Sequence, residues 1–489
     1  MIIRIVNSNL LIIRGEYMNS IKKNFLYNSF YQILAIIIPL ITTQYISRVL
    51  GATNIGIYSY NYSIAQFFVI FIMLGLNNYG NREIASHRTK VNDTSKCFWS
   101  IYKMQFYIGI IINIVYFIYC ILIPKNKIIS MIMIFYLLSA LMDINWFFFG
   151  MELFKYTTIR NTIIKVLTTV SIFIFVKSSS DLWKYCFIMS FSMLISNLFL
   201  WPYILKKIRY YNASFKEMSV HVKPNLVLFL TVIAVSIYKI MDKIMLGIMS
   251  NKSEVGFYES SERVILIPIA FVTALGNVML PRITNMISSG DDSNTKKMLN
   301  KSIAFAMFLS TSMSFGIMAV AKEFVPLFYG KGFETCIYLY LILLPSCVFL
   351  AFGNVIRMQV LLPMKLDRIY VESAFGGAFV NVIINFCLIN NYGSVGAAWG
   401  TLFAEGFVCV YQIYKIRKLI NIKELIKTSI PFIVSGLIMF MVIWNMNIAC
   451  VNVFCVLFVK IICGVIVYLL FSYIIRFFGC KFRSSKIRK

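Results

Sequence analysis

Apolar residues in this chain neither alternate with polar ones at the period of a strand nor fall on one stripe of a helix. They run on for about 20 residues at a time, from Phe25 to Tyr473, with short polar breaks between the runs. A helix of that length crosses the roughly 30 Å hydrocarbon core of a bilayer, and a backbone in lipid has to satisfy its hydrogen bonds within itself. The runs predict fourteen transmembrane helices, near residues 25–46, 57–76, 98–123, 129–150, 157–176, 183–204, 225–250, 256–280, 302–320, 337–360, 369–390, 395–414, 430–449 and 453–475. The fold expected is an all-α polytopic membrane protein. Pro39, Pro268 and Pro345 fall inside these runs, where a missing N–H bends a helix.

The breaks carry a second pattern. Eight cations, Arg48, Lys125, Lys127, Lys177, Lys184, Lys252, Lys322 and Lys331, lie in one set of alternate loops. Seven lie within helices, and the other 32 of the 47 lie in the opposite loops and the two terminal segments. Positive charge marks the cytoplasmic side, so both termini are expected there. The start shows no cleavable signal pattern. Met18 opens a segment that would itself make a sensible beginning, so Met1 and Met18 both stand as starts.

Internal repetition divides the chain. LGATNIGIYSY is echoed by LGIMSNKSEVGFYES, which aligns Leu50 with Leu246, Gly51 with Gly247, Gly56 with Gly256 and Tyr58 with Tyr258. The echo predicts two pseudo-symmetric six-helix lobes, a recurring plan in transporters, with two added C-terminal helices. The expected organisation is a cytoplasmic segment 1–24, an N-lobe 25–204, a basic linker 205–224, a C-lobe 225–414, two further helices within 415–475 and a basic tail 476–489.

Composition agrees: 60% of the chain is hydrophobic and 13% charged, about half the charge of a soluble domain, and the mean hydropathy is +0.79. A net charge of +28 would suggest nucleic acid in a soluble protein. Here topology accounts for it, and no nucleic-acid partner is expected. The 11 cysteines form no CxxC pair and the only histidines are His87 and His221, which argues against a disulfide framework or a metal centre. No connection exceeds about 20 residues, which leaves no room for a catalytic domain. There is no phosphate-cradling GxxxxGK[ST] loop, no HExxH and no GxSxG, so neither an enzyme nor a cofactor is expected.

Charges inside the bilayer are the informative residues, since each costs about 2.5–3.5 kcal/mol at a helix centre unless paired or solvated. Lys239, Asp242 and Lys243 share one side of the seventh helix, and Arg263 lies at a similar depth on the eighth. Asp143 and Lys165 lie at matching depths and could pair. Glu405, in the middle of the twelfth helix, is a candidate proton site. Lys103, Arg357 and Lys460 lie nearer helix ends, where snorkelling to the headgroups is expected. The seven embedded cations outnumber Asp143, Asp242, Glu405 and the more peripheral Glu259 and Glu262. That excess favours an anionic substrate such as a phosphate or diphosphate.

Four segments, SRVLGATNIGIYSYNYSIAQFF, LGLNNYGNREIA, DINWFFFGMELFKYTTIRNTIIK and DKIMLGIMSNKSEVGFYESSERV, together resemble the Wzx-type flippases of O-antigen and capsule synthesis, in the superfamily that includes the MATE exporters. The resemblance implies a bacterial inner-membrane protein, a V-shaped bundle whose central cationic cavity passes an undecaprenyl-diphosphate-linked oligosaccharide to the periplasmic face by alternating access. Membrane lipids, and the polymerase and chain-length regulator of the same pathway, are the implied partners. The charged positions matching the pattern are Arg48, Arg82, Glu83, Asp143, Glu152, Arg160, Asp242, Lys243, Glu259 and Arg263. Lys239, Lys243, Arg263 and Arg48 are the expected substrate contacts; Asp143, Lys165, Asp242, Arg82, Glu83 and Arg160 are cavity or gating charges; Glu405 is the ion-coupling candidate, for a proton or sodium. Competing readings are a MATE-like exporter of small cations, which would want an acidic cavity, a membrane polymerase or ligase, which would want a large external loop, and a flippase for the peptidoglycan precursor.

Overall fold

The computed structural model describes the backbone of residues 2–123, 125–448 and 452–487, and side chains from 38 to 477 apart from 124, 231, 234, 235, 237–239, 292 and 449–451. Among the described residues there are helices and no strand. Eleven stretches of the described residues are long and apolar enough to cross a membrane. Two of these, Ile38–His87 and Asp367–Ile416, are broken at Gly51 (φ 73°, ψ 171°) and Gly393 (φ 54°, ψ −130°) and hold two crossings each. Positive φ at both positions is easy only for glycine. With Val222–Met249 the crossings number the fourteen predicted.

Two crossings are interrupted at depth. The fourth is built from Lys127–Ile132, Ile134–Leu141 and Asn145–Gly150, and the break frees backbone carbonyls that lipid cannot satisfy. Side chains take them: Gln105 Nε2 donates to the carbonyls of Ala140 (2.8 Å) and Asp143 (2.9 Å), and Trp201 Nε1 donates to that of Met142 (3.1 Å). The tenth crossing, Thr335–Leu343 followed by Ser346–Ile356, breaks at Pro345 and ends in a π-helical turn, Arg357–Leu361. Helices run on through Pro39 and Pro268, so only Pro345 coincides with a break.

Some helices lie where connections were expected, Phe215–Val220 and Ala321–Tyr329 among them. Leu76–His87 continues the second crossing where polarity suggested a loop; Leu76, Tyr79, Gly80 and Ile84 make its buried side. Gly80 lies against the Trp146 ring and Gly150 against Ile84, contacts that any larger residue would push apart. In the linker, Ser214 and Glu217 form a capping box on Phe215–Val220, and the hydrogen bond from Lys96 holds the Glu217 carboxyl down at about 2.

The first two crossings pack on the seventh and eighth, and the last two pack on the ninth. At the end of the molecule that carries Gly51, the repeated motifs meet each other. A Cβ on Gly56 would lie 1.6 Å from the Lys252 carbonyl oxygen, and one on Gly256 would lie 1.9 Å from that of Ala52. Thr53 and Ser253 hydroxyls are 2.7 Å apart. Thr53 and Ser253 are 200 apart in sequence, and the two glycine contacts are reciprocal across that offset, 56 on 252 and 256 on 52, so the echo read from the sequence is a two-fold contact between backbones that only glycine permits.

Candidate functional site

One to two turns from that seam, charge gathers on the seventh and eighth crossings. Lys243 Nζ lies 2.6 Å from both Glu259 Oε2 and Glu262 Oε2, and Arg263 Nε lies 2.8 Å from Glu259 Oε1. The first half closes over the same group: Ser59 donates to Glu259 (2.9 Å), and Arg263 donates to Thr43 (3.1 Å). Tyr58, Tyr62, Tyr136 and Tyr185 make a chain of ring contacts alongside, with Tyr58 and Tyr185 centroids 4.8 Å apart. Lys243 and Arg263 do meet in one place, as their depth suggested. The expected excess of positive charge does not: two carboxylates, read as peripheral, pair with the two cations and cancel them. Glu259 and Arg263 are four residues apart on one helix, a spacing that already allowed the pair.

Asp242 points elsewhere. It is buried, and its carboxylate accepts four hydrogen bonds from neutral groups: Tyr258 (2.6 Å), Asn381 (2.9 Å), Asn385 (2.6 Å) and Thr401 (2.9 Å). These donors come from the eighth, eleventh and twelfth crossings, so Asp242 pins four helices of one half together. Gly400 makes the room, since a Cβ there would lie 2.1 Å from Asn385 Oδ1. One turn along from Thr401, Glu405 is 5% exposed, and its carboxyl makes no hydrogen bond or ion pair among the described residues.

The first half has a matching polar centre. Asp143 Oδ1 takes Asn145 N (2.8 Å) and Nδ2 (2.6 Å), and Asn145 Oδ1 accepts from Arg160 (3.0 Å), which also donates to Asn161 and Asn197. Arg160 is 4% exposed and is buried against the break in the fourth crossing. The described partner of Asp143 is therefore Asn145, with Arg160 beyond it, rather than Lys165, which is half-buried on the same helix as Arg160.

Other charged positions separate from this group. Arg48 donates to the Leu327 carbonyl and lays its stem on Gly330, which ties the two halves at the Gly51 end. Lys239 has its side chain outside the described residues. At the opposite end Arg82 is exposed, Glu83 is half-buried, and Arg88 pairs with Glu152 (2.7 Å). Two cations expected to snorkel are tied down instead: Lys460 is 4% exposed and pairs with Glu323 (2.6 Å), and Lys103 donates to the Ala213 carbonyl (2.6 Å). Arg357 lies over the Tyr370 ring, 5.5 Å from its centroid.

The solved structures most like this one include a lipid II flippase, MurJ, in an inward closed conformation, with a TM-score of 0.74, 18% identity, and coverage of 92% of this chain and 98% of that one. An inward-facing multidrug resistance MATE transporter of the MOP superfamily follows at a TM-score of 0.61, 12% identity, and coverage of 83% and 99%. The fold is that of MOP-like transporters. In sequence the chain is 21% identical over 403 residues to a protein of Escherichia coli (strain K12) for which O-antigen transport is proposed, covering 81% of this chain and 97% of that one. Residues 21–287, more than half of the chain, match the family model described as polysaccharide biosynthesis protein, and the chain belongs to that family.

Proposed function

We propose that this chain is a flippase that moves an undecaprenyl-diphosphate-linked oligosaccharide repeat unit across a bacterial inner membrane by alternating access between two lobes, residues 25–204 and 225–414. The observation that carries the proposal is the embedded group Lys243, Arg263, Glu259 and Glu262 at the junction of the halves, sealed at one end by the Gly56–Gly256 seam. Loop charge supports placing that sealed end in the periplasm, with both termini in the cytoplasm.

In this state Glu259 and Glu262 stand where substrate charge would go. A diphosphate entering from the cytoplasmic side competes for Lys243 and Arg263, and each phosphate oxygen gains a charge-assisted hydrogen bond as a carboxylate gives one up. Ser59 and Thr43, which bind the same pairs from the other lobe, lose their partners in the exchange. Substrate binding thereby weakens the contact between lobes and favours parting of the seam, which is the differential interaction a ligand needs to shift a two-state equilibrium. Arg48 on the Leu327 carbonyl is part of the same closure. Asp143, Arg160 and Asp242 hold the lobes rigid as they move. Glu405, buried without a partner among the described residues, is the candidate coupling site for a proton or sodium.

Replacing Lys243 and Arg263 together by Gln tests this reading in proteoliposomes that carry the lipid-linked oligosaccharide. Transport should fall at least tenfold; full transport would remove the proposed contacts. Glu405→Gln should abolish the pH dependence of transport if a proton is coupled there, and unchanged pH dependence would exclude that role.

A further inference from the structure

At the end opposite the seam, the structure gathers side chains that the sequence kept apart. Glu83 and His87 stand one turn apart on Leu76–His87, and Cys97 follows on the next helix, Val91–Leu122. A carboxylate oxygen of Glu83, a ring nitrogen of His87 and the Cys97 sulfur all lie within 4.8 Å of one another. We propose that Glu83, His87 and Cys97 form a binding site for a divalent transition metal of the zinc class, which ties the second crossing to the third beside a contact between the two halves.

Three features of the geometry support it. First, the donors suit the ion: thiolate, imidazole and carboxylate are the ligands zinc takes, whereas calcium and magnesium want oxygen alone. Zinc–ligand bonds of about 2.0–2.3 Å set tetrahedral ligand separations near 3.5 Å, so the three groups need to close by about 1 Å. Glu83 and the exposed His87 can do so by side-chain rotation. Second, the imidazole is held in a tautomer that metal-bound histidines use. His87 Nδ1 lies 2.8 Å from the Glu83 carbonyl oxygen, which can only accept, so the proton sits on Nδ1 and Nε2 offers its lone pair. Third, the turn that brings Cys97 back is held: Thr94 Oγ1 donates to the carbonyls of His87 (2.7 Å) and Lys90 (2.9 Å).

The position suggests what the ion does. Tyr79, Glu83 and His87 repeat every four residues along one face of the helix, and the Tyr79 hydroxyl lies 2.7 Å from His221 Nδ1 at the start of the seventh crossing. An ion at Glu83 and His87 stiffens the helix that carries this contact. Its occupancy then biases movement between the halves at this end, whichever substrate they carry.

Cobalt is the probe, because a cobalt–thiolate bond absorbs in the near ultraviolet. The full chain, tag-free, is purified in detergent, stripped with a chelator and titrated with Co²⁺, then back-titrated with Zn²⁺. One equivalent of cobalt should produce the thiolate band, and zinc should abolish it. Cys97→Ser should remove the band, and His87→Gln and Glu83→Gln should each weaken binding at least tenfold, the scale at which losing even an outer-shell partner acts. His87 is exposed, so its replacement leaves the fold intact, as elution from a sizing column would check. Cys455→Ser, on an exposed cysteine of the last crossing, should keep the band. No thiolate band in the native chain, or a band that survives Cys97→Ser or is unweakened by His87→Gln, would overturn the site.

Discussion

Placing a side chain on Gly256 should open the seam from one side of the membrane. A Cβ there would lie 1.9 Å from the Ala52 carbonyl oxygen. Ordinary contact begins near 3.5 Å, so the two backbones must part by about 1.5 Å. Forcing atoms into a packed contact costs about 1–3 kcal/mol. The penalty falls only on the state in which the seam is closed, because once the helices separate the added atoms are free. A shift of 1–3 kcal/mol between two states changes their ratio by about 5- to 150-fold. Ser59 reports the outcome: it lies within one turn of Gly56, is 1% exposed and donates to Glu259. In a Ser59→Cys background with the other reactive cysteines replaced, the rate of labelling by a membrane-impermeant maleimide, added from the Gly51 end, should rise at least fivefold with Gly256→Val. Gly316→Ala is the control, since its Cβ would meet only Met439 Cε, at 3.7 Å, and should leave the rate unchanged. An unchanged rate in a well-folded Gly256→Val protein would refute the reasoning.

Three further outcomes follow from the charged groups. Lys243→Met leaves Glu259 and Glu262 facing each other with one cation fewer, which should cost about 3–5 kcal/mol, and adding Glu262→Gln should recover part of it; thermal unfolding in detergent reads both, and equal losses in the single and double variants would contradict the pairing. Asp242→Leu strips four buried donors of their acceptor at about 1–3 kcal/mol each and should abolish the folded protein or lower its melting temperature severely, whereas a small change would show that the cage does not hold the helices. Burial lowers the His221 pKa, so its neutral form is favoured in the fold. That contribution is complete above about pH 6.5, the unfolded value, and is lost as pH falls below it. With a chelator present, the difference in melting temperature between the native chain and His221→Gln should be flat from pH 8 to 7 and shrink toward pH 5; a constant difference would refute it.

Much of the architecture was legible because lipid leaves a chain few choices. Runs of apolar residues gave the crossings, and the glycine-marked repeat pointed to two related halves, though not to the contact that the two motifs make with each other. The site was legible in part. Charges announce themselves in an apolar sequence, which drew attention to Lys243, Arg263, Asp242 and Asp143. Neutral partners do not: Asn381, Asn385 and Thr401 lie 139 to 159 residues from Asp242, and nothing in composition links them to it. A signal was there in the four-residue spacing of Asn381 and Asn385 and of Thr401 and Glu405, which puts each pair on one helix face. Glu259 and Glu262 were visible but read as peripheral, so the cations looked unopposed. The partners of Arg160 were hidden for a related reason: they gather at the break in the fourth crossing, and hydropathy windows average over a break of that size.

Direct measurement of lipid movement tests the central claim. Undecaprenyl-diphosphate carrying a labelled oligosaccharide is placed in proteoliposomes with and without this protein, and its exposure is read with an impermeant glycosidase, beside the peptidoglycan precursor and a small organic cation in matched vesicles. The account predicts protein-dependent equilibration of the oligosaccharide lipid between leaflets, lost with Lys243→Gln and Arg263→Gln together. A lipid that stays in its leaflet whatever sugar it carries, while the organic cation is moved, would contradict it.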